Sequence, residues 1–174
     1  QAYNKITKVR GRVEGTIVSQ KERDKLVAKA EEILGNERYG WKANIDGFCI
    51  QLFTNSEHLY EFWIENWFSM DANVRSHGRI YAVMADSTIP PHAYYNPETK
   101  TAIVFNTEYY GQIKSWALGI TCDIAEDQHD IHSIHGSCIE VEGKGIVLIA
   151  PTGTGKSTCL LYTSPSPRDR TRYR

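Results

Sequence analysis

The chain has 174 residues, 41% of them hydrophobic and 24% charged, a makeup too apolar for a disordered protein and ordinary for one or two folded domains. The net charge of −1 hides an asymmetry: Arg168, Arg170, Arg172 and Arg174 crowd one end against Asp169 alone, so the rest is mildly acidic and offers no electrostatic case for nucleic acid or an anionic membrane. No apolar run approaches the roughly 20 residues of a membrane helix, no basic-then-apolar leader follows Gln1, and the widely spaced Cys49, Cys122 and Cys138 suit a reducing, cytoplasmic setting better than a disulfide scaffold or a zinc site.

Ile6 to Val18 is rich in Val, Ile and Thr, is broken by Gly11 and Gly15, and reads as strand and turn. Its basic residues Lys5, Lys8, Arg10 and Arg12 would guard a sheet edge. Ser19 stands three residues before Glu22, the spacing of a capping box. Leu26, Val27, Ala30, Ile33 and Leu34 then recur at helical spacing, so Gln20 to Leu34 is an expected amphipathic helix closed by Gly35. A strand is expected around Phe48 to Phe53, and a helix over Ser56 to Trp67 with Leu59, Phe62, Trp63 and Trp67 on one face. The Trp63/Trp67 stripe suits a core better than a base-stacking platform. Arg79 to Met84 and Thr101 to Asn106 read as strands, with Asn96-Pro97-Glu98-Thr99 as the turn after Tyr94-Tyr95. Tyr109 to about Ala125 reads as a third helix. The polar stretch Asn106 to Trp116 would border a pocket or, more cheaply, start that helix. Ser133 to Val141 and Gly145 to Ile149 are expected strands of a hairpin turning at Glu142-Gly143-Lys144.

The chemistry lies after the last strand. Ile146 to Ile149 is followed by Ala150-Pro151-Thr152-Gly153-Thr154-Gly155-Lys156-Ser157, which is a P-loop, or Walker A, pattern G-x-x-x-x-G-K-[ST] with Ala150 in the first glycine place. Gly153 and Gly155 permit backbone angles that aim successive N–H groups at a common centre. A helix beginning near Lys156 would add its unpaired N–H groups and positive dipole end. The expected nucleotide-binding residues are therefore Thr152, Gly153, Thr154, Gly155, Lys156, Ser157 and Thr158. Lys156 would reach the β- and γ-phosphates of ATP, and the Ser157 hydroxyl would ligate Mg²⁺. Ala150 fits if its φ is negative.

His129, His132 and His135 form H-x-x-H-x-x-H beside Asp123, Asp127 and Asp130, which invites a metal reading. On an extended strand His132 and His135 would face opposite ways and could not share one ion.

The loop wording is similar to motif I of nucleic-acid helicases. It is also similar to the loop of HPr kinase/phosphorylases and phosphoenolpyruvate carboxykinases. The upstream run Ser133-Ile134-His135-Gly136-Ser137-Cys138-Ile139-Glu140-Val141-Glu142-Gly143-Lys144-Gly145 favours the second. It resembles the stretch of HPr kinases in which a His-Gly opens a strand, a glycine turn follows, and a second strand enters the loop. The resemblance covers Ile131 to Thr158. It implies an ATP-dependent, Mg²⁺-dependent phosphotransferase acting on a protein hydroxyl, a small acid or water. It also implies a catalytic His135 near the γ-phosphate or the acceptor, as proton shuttle or charge stabiliser. A helicase-like ATPase, and a nucleotide-binding regulatory module without catalysis, stay open as alternatives, as does an oligomer.

The run Cys159 to Asp169 resembles the translation of a transposon-type sequencing adapter. Pro165 and Pro167 would in any case break a helix there. The expected organisation is thus α/β: an N-terminal α/β region over 1–126, the incomplete beginning of a P-loop nucleotide-binding domain over 127–158, and a non-native tail over 159–174. In the resembling families an acidic residue after the P-loop helix holds metal or acts as base. No counterpart precedes Thr158, so the chain as given is expected to turn over no nucleotide. A hairpin without later strands and helices to cover it is also expected to be poorly stable.

Overall fold

A computed structural model of the chain describes residues 12–151 and 153–155. The chain divides into two units, Gln1–Ile131 and His132–Arg174. The expected strand residues Ile6 to Arg10 lie outside the described residues, as does the tail from Cys159.

The first unit is α/β, as its alternation of strand and helix patterns predicts. In chain order it holds β1 (Gly15–Ile17), α1 (Gln20–Leu34), β2 (Tyr39–Ile45), β3 (Phe48–Thr54), α2 (Glu57–Asn66), β4 (Phe68–Ser69), β5 (Gly78–Val83), β6 (His92–Asn96), β7 (Thr101–Phe105) and α3 (Tyr110–His129). The strands form one mixed sheet in the order β1-β6-β7-β5-β3-β2-β4. Its centre is parallel: β3 pairs with β5, and β5 with β7. Parallel neighbours need a crossover, which α2 provides between β3 and β5.

The local chemistry of each helix is visible in its ends. The Ser19 hydroxyl accepts from the Glu22 amide at 3.3 Å, and the Glu22 carboxylate accepts from the Ser19 amide at 3.0 Å, so the capping box that opens α1 is reciprocal. Ser56 caps α2 by accepting from the Leu59 amide. Trp67, expected inside that helix, has extended backbone and ends it. Helix α3 runs past the expected Ala125 to His129, because Asp130 takes the left-handed conformation that closes it. The boundary expected at Glu126 to Asp130 is therefore the last turn and cap of α3.

Alternation along the strands splits the core into two. Ile50, Leu52, Ile80, Ala82, Ala102 and Val104 face one way and pack with Leu59 and Trp63 of α2 and Ile113, Ala117, Ile120 and Ile124 of α3. Tyr81, Val83, Ile103 and Phe105 face the other way, against Ala30 and Leu34 of α1. Each fully buried Ile or Leu contributes about 1.5–3 kcal/mol, so both layers are held firmly. Gly78 shows how close α3 sits: a Cβ there would lie 2.5 Å from the Ile120 side chain.

Strand β2 has no counterpart among the expected elements. It joins β3 through Asp46-Gly47, both at positive φ (53° and 87°), a two-residue turn. At the opposite edge, β1 lies parallel to β6. Gln112 clasps the segment before it: its Oε1 accepts from the Val13 amide at 2.7 Å and its Nε2 donates to the Val13 carbonyl at 2.9 Å, across 99 residues of chain.

The second unit contains the hairpin of β8 (Ser137–Val141) and β9 (Lys144–Leu148), paired antiparallel. The turn is Glu142-Gly143, with φ of 51° and 76°. Strand β8 begins at Ser137, later than the expected Ser133. None of the described residues of this unit is buried.

Candidate functional site

The expected nucleotide loop follows β9. The sequence reading has a buried apolar strand delivering it, and here the structure differs. Ile146 is 44% exposed, Val147 45% and Ile149 66%. A two-stranded ribbon has no second layer, so its apolar side chains stay in water.

The loop itself is described at Ala150, Pro151, Gly153, Thr154 and Gly155. Gly153 has φ of +84° and Gly155 of +82°. Thr154 between them is not a positive-φ residue, and neither is Ala150. The Thr154 amide donates to the Pro151 carbonyl at 3.4 Å, and its hydroxyl donates to the same oxygen at 2.7 Å. A Cβ at Gly153 would meet nothing within 4 Å, so glycine is required there by its angle and not by crowding. Alternation of the sign of φ along consecutive residues turns successive N–H groups toward one side. Thr152, Lys156, Ser157 and Thr158 lie outside the described residues.

His135 is exposed and stands before β8, outside any strand. The ladder closes at Ser137 opposite Leu148. Gly136 lies against the same strand end: a Cβ there would be 3.0 Å from the Leu148 carbonyl oxygen and 3.5 Å from the Ile149 side chain. His135 and Pro151 therefore lie at the same end of the hairpin. His132 also precedes β8, so the expectation that the two rings face opposite sides of a strand has no strand beneath it. His129 belongs to α3 and meets the Phe48 ring edge-on at 5.4 Å. Among the described residues no group of three His, Cys, Asp or Glu side chains is placed to hold a metal ion.

The polar stretch after β7 serves the fold. Asn106, at φ of 56°, accepts from the Ala85 amide at 2.7 Å and donates to the Ile89 carbonyl at 2.6 Å, tying down the loop after β5. Glu108 accepts from the Ser56 hydroxyl at 3.1 Å, and Thr107 accepts from the Tyr109 amide. Trp63 is fully buried and Trp67 packs on the same core.

One charged cluster in the first unit escaped sequence reading. Lys100, at the end of the β6–β7 turn, places its ammonium 3.1 Å from both Asp123 and Asp127 on α3. The Tyr95 hydroxyl donates to Asp123. Burial raises the Tyr95 phenol well above its ordinary value, and the Asp123 carboxylate adds to it. Burial works against the Lys100 charge, but the two carboxylates outweigh it and raise that pKa. Only the spacing Asp123/Asp127, one turn apart on a helix, hinted at this cluster.

Among the described residues no helix is long and apolar enough to cross a membrane. Comparison with protein-family models gives no match, and comparison with curated proteins gives none either.

Proposed function

We propose that the loop Ala150 to Thr158 binds the polyphosphate of ATP with Mg²⁺, in the service of phosphoryl transfer of the HPr kinase/carboxykinase type. The observation that carries this reading is the pair of glycines at positive φ on either side of Thr154, directly after a strand. Open space in front of Gly153 leaves room for a phosphate to approach the backbone. Lys156 supplies the charge for the β- and γ-phosphates, and Ser157 the oxygen for Mg²⁺. ATP supplies the activated phosphoryl group. His135 stands at the loop's end of the hairpin, where an imidazole would move a proton to or from the acceptor or steady the charge of the transferring group. The acceptor class, a protein hydroxyl or a small acid, follows from the resemblance and belongs to the same proposal.

Calorimetric titration of the chain with a non-hydrolysable ATP analogue and Mg²⁺ tests it. Saturable binding that weakens at least tenfold in Lys156→Ala, and likewise in Gly155→Val, supports the reading. Absent binding, or equal binding by Lys156→Ala, overturns it. Hydrolysis stimulated by single-stranded nucleic acid would move the protein to the helicase class instead.

A further inference from the structure

On the sheet face that carries α1, the helix covers β5, β6 and β7. Further along the same face, Lys42 of β2 and Gln51 of β3 stand opposite each other in register. Their side chains point away from the core that holds Ala43, Ile50 and Leu52. Here Met70 and Ala72 join Gly40, Trp41, Lys42 and Gln51 around a cavity of about 290 Å³.

Two side chains of this cavity, Lys42 and Gln51, keep donor capacity that their partners do not use. The Lys42 ammonium donates to the carbonyls of Ala72 at 2.6 Å and Val74 at 2.7 Å, which leaves its third N–H unused. Both partners are neutral, and no carboxylate pairs with Lys42 among the described residues. Asp71, the acid on the same loop, turns its carboxylate to the Asn73 amide at 2.8 Å. The Gln51 carbonyl oxygen is taken by the Ser76 hydroxyl at 2.7 Å, so its NH₂ group is left to donate. The result is a half-buried, fixed cation without a counter-ion, a neighbouring amide donor, and a thioether wall.

We propose that this cavity binds a carboxylate carried on a small apolar body. A carboxylate presents two oxygens in a plane, one for the Lys42 N–H and one for the Gln51 NH₂, and neutralises the single positive charge. A phosphate dianion would leave charge uncompensated beside Met70. The carboxylate belongs either to a free short-chain acid or to the C-terminus of a peptide.

Amide-resolved NMR titration of the whole chain tests the site. Butanoate should saturate and shift the amides of Gly40 to Lys42 and the Gln51 side-chain NH₂. Butanamide, nearly identical in shape and neutral, should bind at least tenfold more weakly. Gln51→Glu keeps an acceptor for Ser76 while replacing the donor with a negative charge, and should abolish the shifts. A tripeptide with a free C-terminus, compared with its amidated form, separates the two sources. Tighter binding of the free peptide than of butanoate assigns chain ends, and the reverse assigns free acids. Equal binding of butanoate and butanamide overturns the proposal without any variant, as does the lack of a saturable shift with either acid source.

Discussion

The same turn chemistry appears twice in this chain with different results. Asp46-Gly47 joins β2 to β3, and Glu142-Gly143 joins β8 to β9, each pair at positive φ. In the first case the hairpin is flanked by further strands and covered on one face by α2, and Ala43, Ile50 and Leu52 are fully buried. In the second, the ladder is as regular, yet Val141, Ile146 and Val147 are 39–45% exposed. Strand pairing fixes register in both places. Only a second layer removes apolar surface from water, and that removal is the larger source of stability.

Substitutions that should be severe in one region and mild in the other press this difference hardest. Ile120→Ala opens a cavity between α3 and the sheet and should cost about 2–5 kcal/mol of unfolding free energy in urea denaturation, whereas Ile146→Ala should change the same transition by less than about 0.5 kcal/mol. An equal loss from both would show that the hairpin is as well covered as the sheet. Asp123→Ala takes a partner from both Tyr95 and Lys100. With Asp127 still present and Asp123 partly exposed, the loss should be about 1–2 kcal/mol, read from the same transition.

Alkaline pH acts on the first unit through the same groups. Tyr95 and Tyr110 hold their protons more tightly when folded, the latter pushed up to about 12 by burial, and Lys100 does so through its carboxylates. Groups with raised folded values stabilise fully below their unfolded values, near pH 10, and the contribution is lost as pH rises through the folded values. Circular dichroism should therefore show stability steady from neutral pH to about pH 10, then falling by about 1.4 kcal/mol per pH unit for each such group. Asp123→Ala should flatten that fall. The smallest effect comes from the turns. Gly47→Ala should cost about 1 kcal/mol of global stability for a left-handed alanine, and Gly143→Ala should fray its hairpin in hydrogen exchange without moving the global transition.

Much of the first unit was legible because its signals are local. Ser19 and Glu22 predicted the start of α1, and the spacing of Leu26 to Leu34 predicted its length. β5 and β7 stand out as near-continuous apolar runs because helices cover both faces of a parallel pair. β2 was missed because Gly40, Lys42 and Asn44 dilute it, although Asp46-Gly47 is a strong hairpin signal. β4, of two residues, carries no pattern at all. The length of α3 depended on Asp130 accepting a left-handed angle, which composition does not announce. In the candidate site, the glycine positions were readable as angle requirements. The exposure of β9 was not, since an apolar run reads the same whether or not something covers it. The Lys42 and Gln51 cavity was invisible because it rests on cross-strand register and on a loop about thirty residues away in sequence.

The Gln112 clasp on Val13 sets an order of events during synthesis. A ribosome adding about 5–20 residues per second releases Val13 some 5–20 s before Gln112 can reach it across their 99-residue separation. β1 has its partner sooner, once β6 emerges. The segment leading into β1 therefore stays unclasped until the start of α3 has been made.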